Sequence, residues 1–108
     1  MGLFSKTPKD RANTVSGHWK EIRELLDRNE DFYLERREEI GDIGRGMATL
    51  IHPSREITLE LTDTLLRNIG HVITGMKGKY ESDVIKRITG LNQEIIGELN
   101  LIDDSLRK

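Results

Sequence analysis

Gly78-Lys79-Tyr80-Glu81-Ser82-Asp83 reads either as the middle of one long helix or as a turn, and the architecture follows from the choice. As a turn, the glycine loosens the backbone and Ser82 caps a new helix. As helix, Tyr80 is one more member of an apolar stripe. That stripe runs through Leu61, Leu65, Ile69, Val72 and Met76 before it, then Val84, Ile88, Leu91, Ile95, Leu99, Ile102 and Leu106 after it. The phase passes through Tyr80 unbroken, which favours a continuous helix. The spacing averages about 3.75 residues, nearer an eleven-residue repeat than a left-handed coiled coil.

The first half of the chain poses the same question at Asn29. Trp19, Ile22, Leu26, Asn29, Tyr33, Arg36, Ile40, Ile43, Met47 and Leu50 alternate by three and four residues on one helical seam. Asn29 and Arg36 are its polar members, of the kind that fixes register or partner number at a cost in stability. The clearest break is His52-Pro53-Ser54, because proline disfavours helical geometry at the residue before it. A helix should end near Ile51, and Ser54 should cap the next. The expected fold is therefore all-α: a long antiparallel hairpin of residues 14–51 and 54–107, assembling into a bundle or polymer. A compact three- or four-helix bundle is the alternative, if Asn29 and the Gly78 stretch are true breaks.

At 1.5 Å per residue the two helices would be roughly 57 and 80 Å long. The second would overhang the first and leave Ile95, Ile96, Leu99 and Ile102 without an intramolecular partner. An exposed apolar patch of that kind predicts association. Those four residues, with Trp19 and Tyr33 on the first seam, are the expected self-association surface of a homo-oligomer.

Composition narrows the function classes. The chain has 108 residues and no cysteine, which removes disulfides, thiolate nucleophiles and zinc-thiolate sites. Its 17 basic and 19 acidic residues speak against nucleic-acid binding, which draws on a basic surface. No apolar run approaches the roughly 20 residues of a membrane span, and no signal peptide is evident, so a cytoplasmic protein is expected. One helical domain, residues 14–108, follows a flexible segment, residues 1–13, in which Pro8 blocks a helix. Within that segment Leu3 and Phe4 could enter a membrane surface while Lys6 and Lys9 meet anionic head groups. Gly2 fails the myristoylation pattern by one position, because Lys6 stands where Ser or Thr is required.

No catalytic constellation emerges. His18, His52 and His71 lack the neighbours of a helical metal site. Glu94 and Glu98 lie one turn apart, as a solvated face also would. Ile40-Gly-Asp-Ile-Gly-Arg-Gly46 lacks the preceding strand of a nucleotide loop and reads as a closely packed or flexible helix end. No enzyme, metal or cofactor is expected.

Met1-Gly-Leu-Phe-Ser-Lys-Thr7 resembles the N-terminus of some ESCRT-III subunits, and Trp19 in His18-Trp-Lys-Glu-Ile-Arg23 falls where one branch of that family also has a tryptophan. The resemblance implies polymerisation on membranes through stacked hairpins, with Leu3 and Phe4 inserting. Glu21, Glu24, Asp27, Glu30 and Asp31 depart from the basic first helix of that family. The expected function is a non-enzymatic, self-associating scaffold or adaptor. The alternatives are a membrane-associated polymer of ESCRT-III type and a small four-helix-bundle protein that binds a metal or ligand.

Overall fold

The computed structural model describes residues 6–108, so Leu3 and Phe4 lie outside the described residues. The elements are α1 (Pro8–Leu26), α2 (Glu30–Glu35), α3 (Arg37–Ile51), α4 (Leu59–Gly75) and α5 (Ser82–Leu106). Among the described residues there is no strand. α1 packs on α5 and on α3, and α4 packs on α3 and on α5. The four long helices thus close into a ring in which each has two neighbours. Side chains near the start of α1 meet the end of α5 (Arg11 with Glu98) and the end of α3 (Lys9 with the Leu50 carbonyl). Thr62, early in α4, meets Asp103, late in α5. Neighbours are therefore antiparallel, in an up-down-up-down four-helix bundle.

The all-α reading holds, and of its two architectures the compact bundle is the one that forms. The long hairpin is corrected. Helices of roughly 57 and 80 Å, at 1.5 Å per residue, do not fit a molecule whose extents are 45 × 25 × 19 Å. Both breaks that seam phase argued against are real. Asn29 takes up extended backbone and caps α2, its side chain accepting from the Phe32 N–H at 3.1 Å. Arg36 leaves helical geometry and separates α2 from α3. Between α4 and α5, Gly78 adopts φ +81°, a left-handed conformation that glycine takes without the Cβ penalty.

Helix ends follow local chemistry. α1 begins six residues before Thr14, because Thr7 and Asp10 form a reciprocal capping box and Pro8 occupies the first turn, where its missing N–H costs nothing. The expected flexible segment of residues 1–13 is corrected for residues 8–13, where Pro8 starts a helix and Ala12 is fully buried, and residues 1–5 lie outside the described residues. Hydrogen bonding of the Asp10 carboxylate to Thr7, its backbone N–H first and its hydroxyl second, lowers the Asp10 pKa. α3 ends at Ile51 as Pro53 requires. α4, however, starts at Leu59 under a Thr58 cap, later than Ser54 suggested. α5 has Glu81 at its cap position, with Ser82 already helical.

The core is the two stripes folded together. Trp19, Ile22 and Leu26 of α1, Ile40, Ile43 and Met47 of α3, Leu65, Ile69 and Val72 of α4, and Ile88, Ile95 and Leu99 of α5 are all buried. The glycine-rich stretch from Gly41 to Gly46 is helical, and one of its glycines is required by packing. A Cβ on Gly46 would lie 2.7 Å from Leu65 Cδ2, and Leu65 is itself buried with no room to retreat. Gly46→Ala should therefore destabilise the bundle by about 1 kcal/mol, the overpacking cost exceeding the gain in helix propensity. Urea unfolding checks this. At Gly44, where a Cβ meets nothing, the same change should stabilise.

Candidate functional site

The bundle has two poles of different character. At one, the α3–α4 loop sits beside the start of α1 and the end of α5. Here the Lys9 ammonium donates to the backbone carbonyls of Leu50, His52 and Arg55 at 3.0, 2.6 and 2.7 Å. The Leu50 carbonyl lies in the last turn of α3, where a cation complements the macrodipole, and the His52 carbonyl also accepts from the Arg55 N–H at 3.2 Å within the loop. Lys9 thus fixes the loop to α1. Beside it opens an apolar groove of about 420 Å³, lined by Thr7, Pro8, Lys9, Glu56, Ile57 and Leu106. Leu106 is exposed at this groove and Leu59 at the start of α4, while Ile96 and Leu101 are exposed on separate faces of α5.

The opposite pole holds the two helix breaks. The Tyr80 hydroxyl donates to the Leu26 carbonyl at 2.6 Å, and the Asn29 amide donates to the Lys79 carbonyl at 2.8 Å. The Tyr80 ring meets Phe32 edge-on, with centroids 5.4 Å apart. Burial, with Asp27 adding to it, pushes the Tyr80 phenol up to about 12. Arg36 lies over the Phe32 ring, and its guanidinium occupies the space that a side chain at position 75 would need. Arg23 covers Tyr33 and hydrogen-bonds its hydroxyl. A polar cleft of about 520 Å³ lies between the breaks, and charges of both signs, Arg28 and Lys79 with Glu30 and Glu81, line it.

Several expected site residues take other roles. Trp19, Ile95, Leu99 and Ile102 are buried within the chain, which corrects their placement on an exposed surface of the closed bundle. The overhang that would have exposed them does not exist, because α1 and α4 cover α5. Ile96 remains exposed, while Tyr33 is half-buried under Arg23. Of the expected membrane contacts, Lys6 is exposed and Lys9 is spent on the three carbonyls, which corrects its assignment to head groups. Leu3 and Phe4 lie outside the described residues.

Several charged groups on the helix faces are paired. Glu94 binds His18 at 2.9 Å and Glu98 binds Arg11 at 3.2 Å, so neither is free for a cation. Arg87 pairs with Glu21 across the α1–α5 interface rather than with Asp83. His52 Nδ1 accepts from the Ser54 N–H, and His71 is exposed. Among the described residues no three His, Asp or Glu side chains cluster as metal ligands, and no helix is long and apolar enough to cross a membrane. Sequence reasoning missed Lys9 as a helix cap. Only the Pro53 break, which leaves carbonyls unpaired, hinted that a distant cation was needed.

Tyr80→Phe should cost about 1 kcal/mol by removing one hydrogen bond to the Leu26 carbonyl, which keeps the Asn29 N–H at 3.1 Å. Because the folded phenol titrates near 12 and the unfolded one near 10.0, wild-type stability should hold below pH 10 and fall as pH rises from 10 to 12. Denaturant midpoints against pH check this, and the Phe variant should lose that part of the slope. Compared with protein-family models, curated proteins and solved structures, the chain matches none.

Proposed function

We propose that the protein is a non-enzymatic helical scaffold that self-associates through the pole holding the α3–α4 loop. The observation that carries this is the apolar groove between Pro8, Ile57 and Leu106, at whose edge Leu106 stays exposed. Apolar surface gathered in one place, with polar residues around it, marks a contact site. The surrounding charge fits a second copy of the chain. Arg55, Arg107 and Lys108 are interspersed with Glu56, Glu60 and Asp104, all exposed. A two-fold contact needs a surface that complements itself, and mixed signs provide it. An anionic membrane would repel the acidic half of the same rim.

A second reading keeps the membrane. Thr7, which follows Leu3 and Phe4 in the sequence, lines the groove at this pole. Polymerisation of the ESCRT-III kind would need this anchor together with a contact between copies.

Light scattering over a hundredfold concentration range decides the first reading. The expected mass is about twice 12.4 kDa at high concentration. Leu106→Glu should return it to the monomer value while helix content is kept. A wild-type mass fixed at 12.4 kDa throughout overturns self-association. For the membrane reading, Leu3→Ser with Phe4→Ser should abolish sedimentation with anionic vesicles. Binding that survives both changes removes the anchor.

A further inference from the structure

The bundle is two helix pairs joined by two breaks that lie side by side. α1 with α5 is one pair, and α3 with α4 is the other. The α1–α3 connection runs through Asn29 and Arg36, and the α4–α5 connection through Gly78 and Tyr80. Both sit at the same pole, tied by the Asn29–Lys79 and Tyr80–Leu26 hydrogen bonds. The two connections therefore form one hinge. Straightening it would keep α1 against α5 and α3 against α4, and would separate only α1 from α3 and α4 from α5.

The sequence is compatible with the straightened form. The seam Trp19, Leu26, Tyr33, Ile40, Met47 keeps one helical phase through the first break, and Ile69, Met76, Tyr80, Ile88 keeps it through the second. A break between unrelated helices has no reason to conserve phase. A straightened chain exposes the inner faces of both pairs, including Trp19, Met47, Val72 and Ile88. A second straightened copy carries the matching faces, because they are the faces that close the bundle in one chain.

We propose that two copies of this chain exchange their α1–α5 pairs, each pair packing on the α3–α4 pair of the other copy. The exchange restores every contact of the closed bundle except those at the hinge. It uses inner faces and does not depend on the apolar pole at the other end.

The chain has no cysteine, so Lys20→Cys and Ala48→Cys place spin labels at two defined points. Both positions are exposed and line one groove between α1 and α3. In the closed bundle the labels are near neighbours. In a straight helix they are 28 residues apart, roughly 42 Å at 1.5 Å per residue. The hinge is biased by Asn29→Ala with Gly78→Ala. The first removes the α2 cap and the bond to Lys79, and the second puts a Cβ on a left-handed residue. Together they should raise the dimerisation constant on the order of a hundredfold. Labelled chains diluted into unlabelled dimer should then show the long distance within one chain.

A variant that stays at 12.4 kDa at every concentration overturns the exchange. So does a dimer in which the labels remain near neighbours, the result expected of contact through the apolar pole alone. If the double variant does not fold, the wild-type chain unfolded and refolded at millimolar concentration replaces it. A dimer with the long label distance supports the exchange, and recovery of monomer alone overturns it.

Discussion

Asn29 and Tyr80 each reach across from one helix break to a backbone carbonyl of the other, and the bundle depends on that reciprocal tie. A break in a helix leaves N–H and C=O groups without partners. Two breaks brought together can satisfy each other. The Tyr80 hydroxyl takes the Leu26 carbonyl at the end of α1, and the Asn29 amide takes the Lys79 carbonyl in the turn after α4. Phe32 and the Tyr80 ring fill the space between. The Leu26 carbonyl also accepts from the Asn29 N–H within its own break, so Tyr80 adds a second donor there, while the Asn29 amide serves the Lys79 carbonyl. The opposite pole is held by one ammonium, Lys9, on three carbonyls of the α3–α4 loop. Between the poles the work is apolar burial, with each long helix covered by two neighbours.

This arrangement explains why one chain folds back rather than extending. In an extended hairpin each helix has one neighbour, and the shoulder residues Ile73 and Ile85 beside each stripe would stay wet. In the bundle both pack against the core. At about 25 cal/mol per Å² of apolar area, a few such side chains outweigh the strain of a left-handed glycine and two interrupted helices. The breaks are the smaller cost.

The class of the fold was legible in the sequence and its architecture was not. Periodicity of three and four named the helices and most of the core: Trp19, Ile22, Leu26, Ile40, Ile43, Leu65, Ile69, Val72, Ile88, Leu91 and Leu99 are stripe residues and are buried. Phase says which face of a helix is apolar. It is silent on whether two segments of equal phase lie on one axis or on two. The signals that decided this were present as polarity. Asn29 and Arg36 interrupt an apolar seam, and they are where the backbone leaves the helix. Read as register-setting residues between chains, they proved to be break residues within one. Pro8 was misread for a related reason, since its effect depends on position: inside a helix it disrupts, and in the first turn it is favoured. The candidate surface was less legible still. Phase sets Leu101 off the stripe of Ile95 and Leu99, but only the placement of α1 and α4 shows that the stripe itself is covered within the chain.

The same residues that close the bundle define what an open chain would present. Phase continuity across Asn29 and Tyr80 is unnecessary for a bundle whose connections merely reverse direction, since each helix could then set its own phase. It is necessary if inner faces must match whether the connection is bent or straight. For one chain in dilute solution the bent form wins, because folding back needs no partner. At high local concentration the balance rests on the hinge alone, since the packed faces are equivalent in both forms. The hydrogen bonds of Asn29 and Tyr80 and the conformation of Gly78 then set the threshold at which a second copy replaces the chain's own other half.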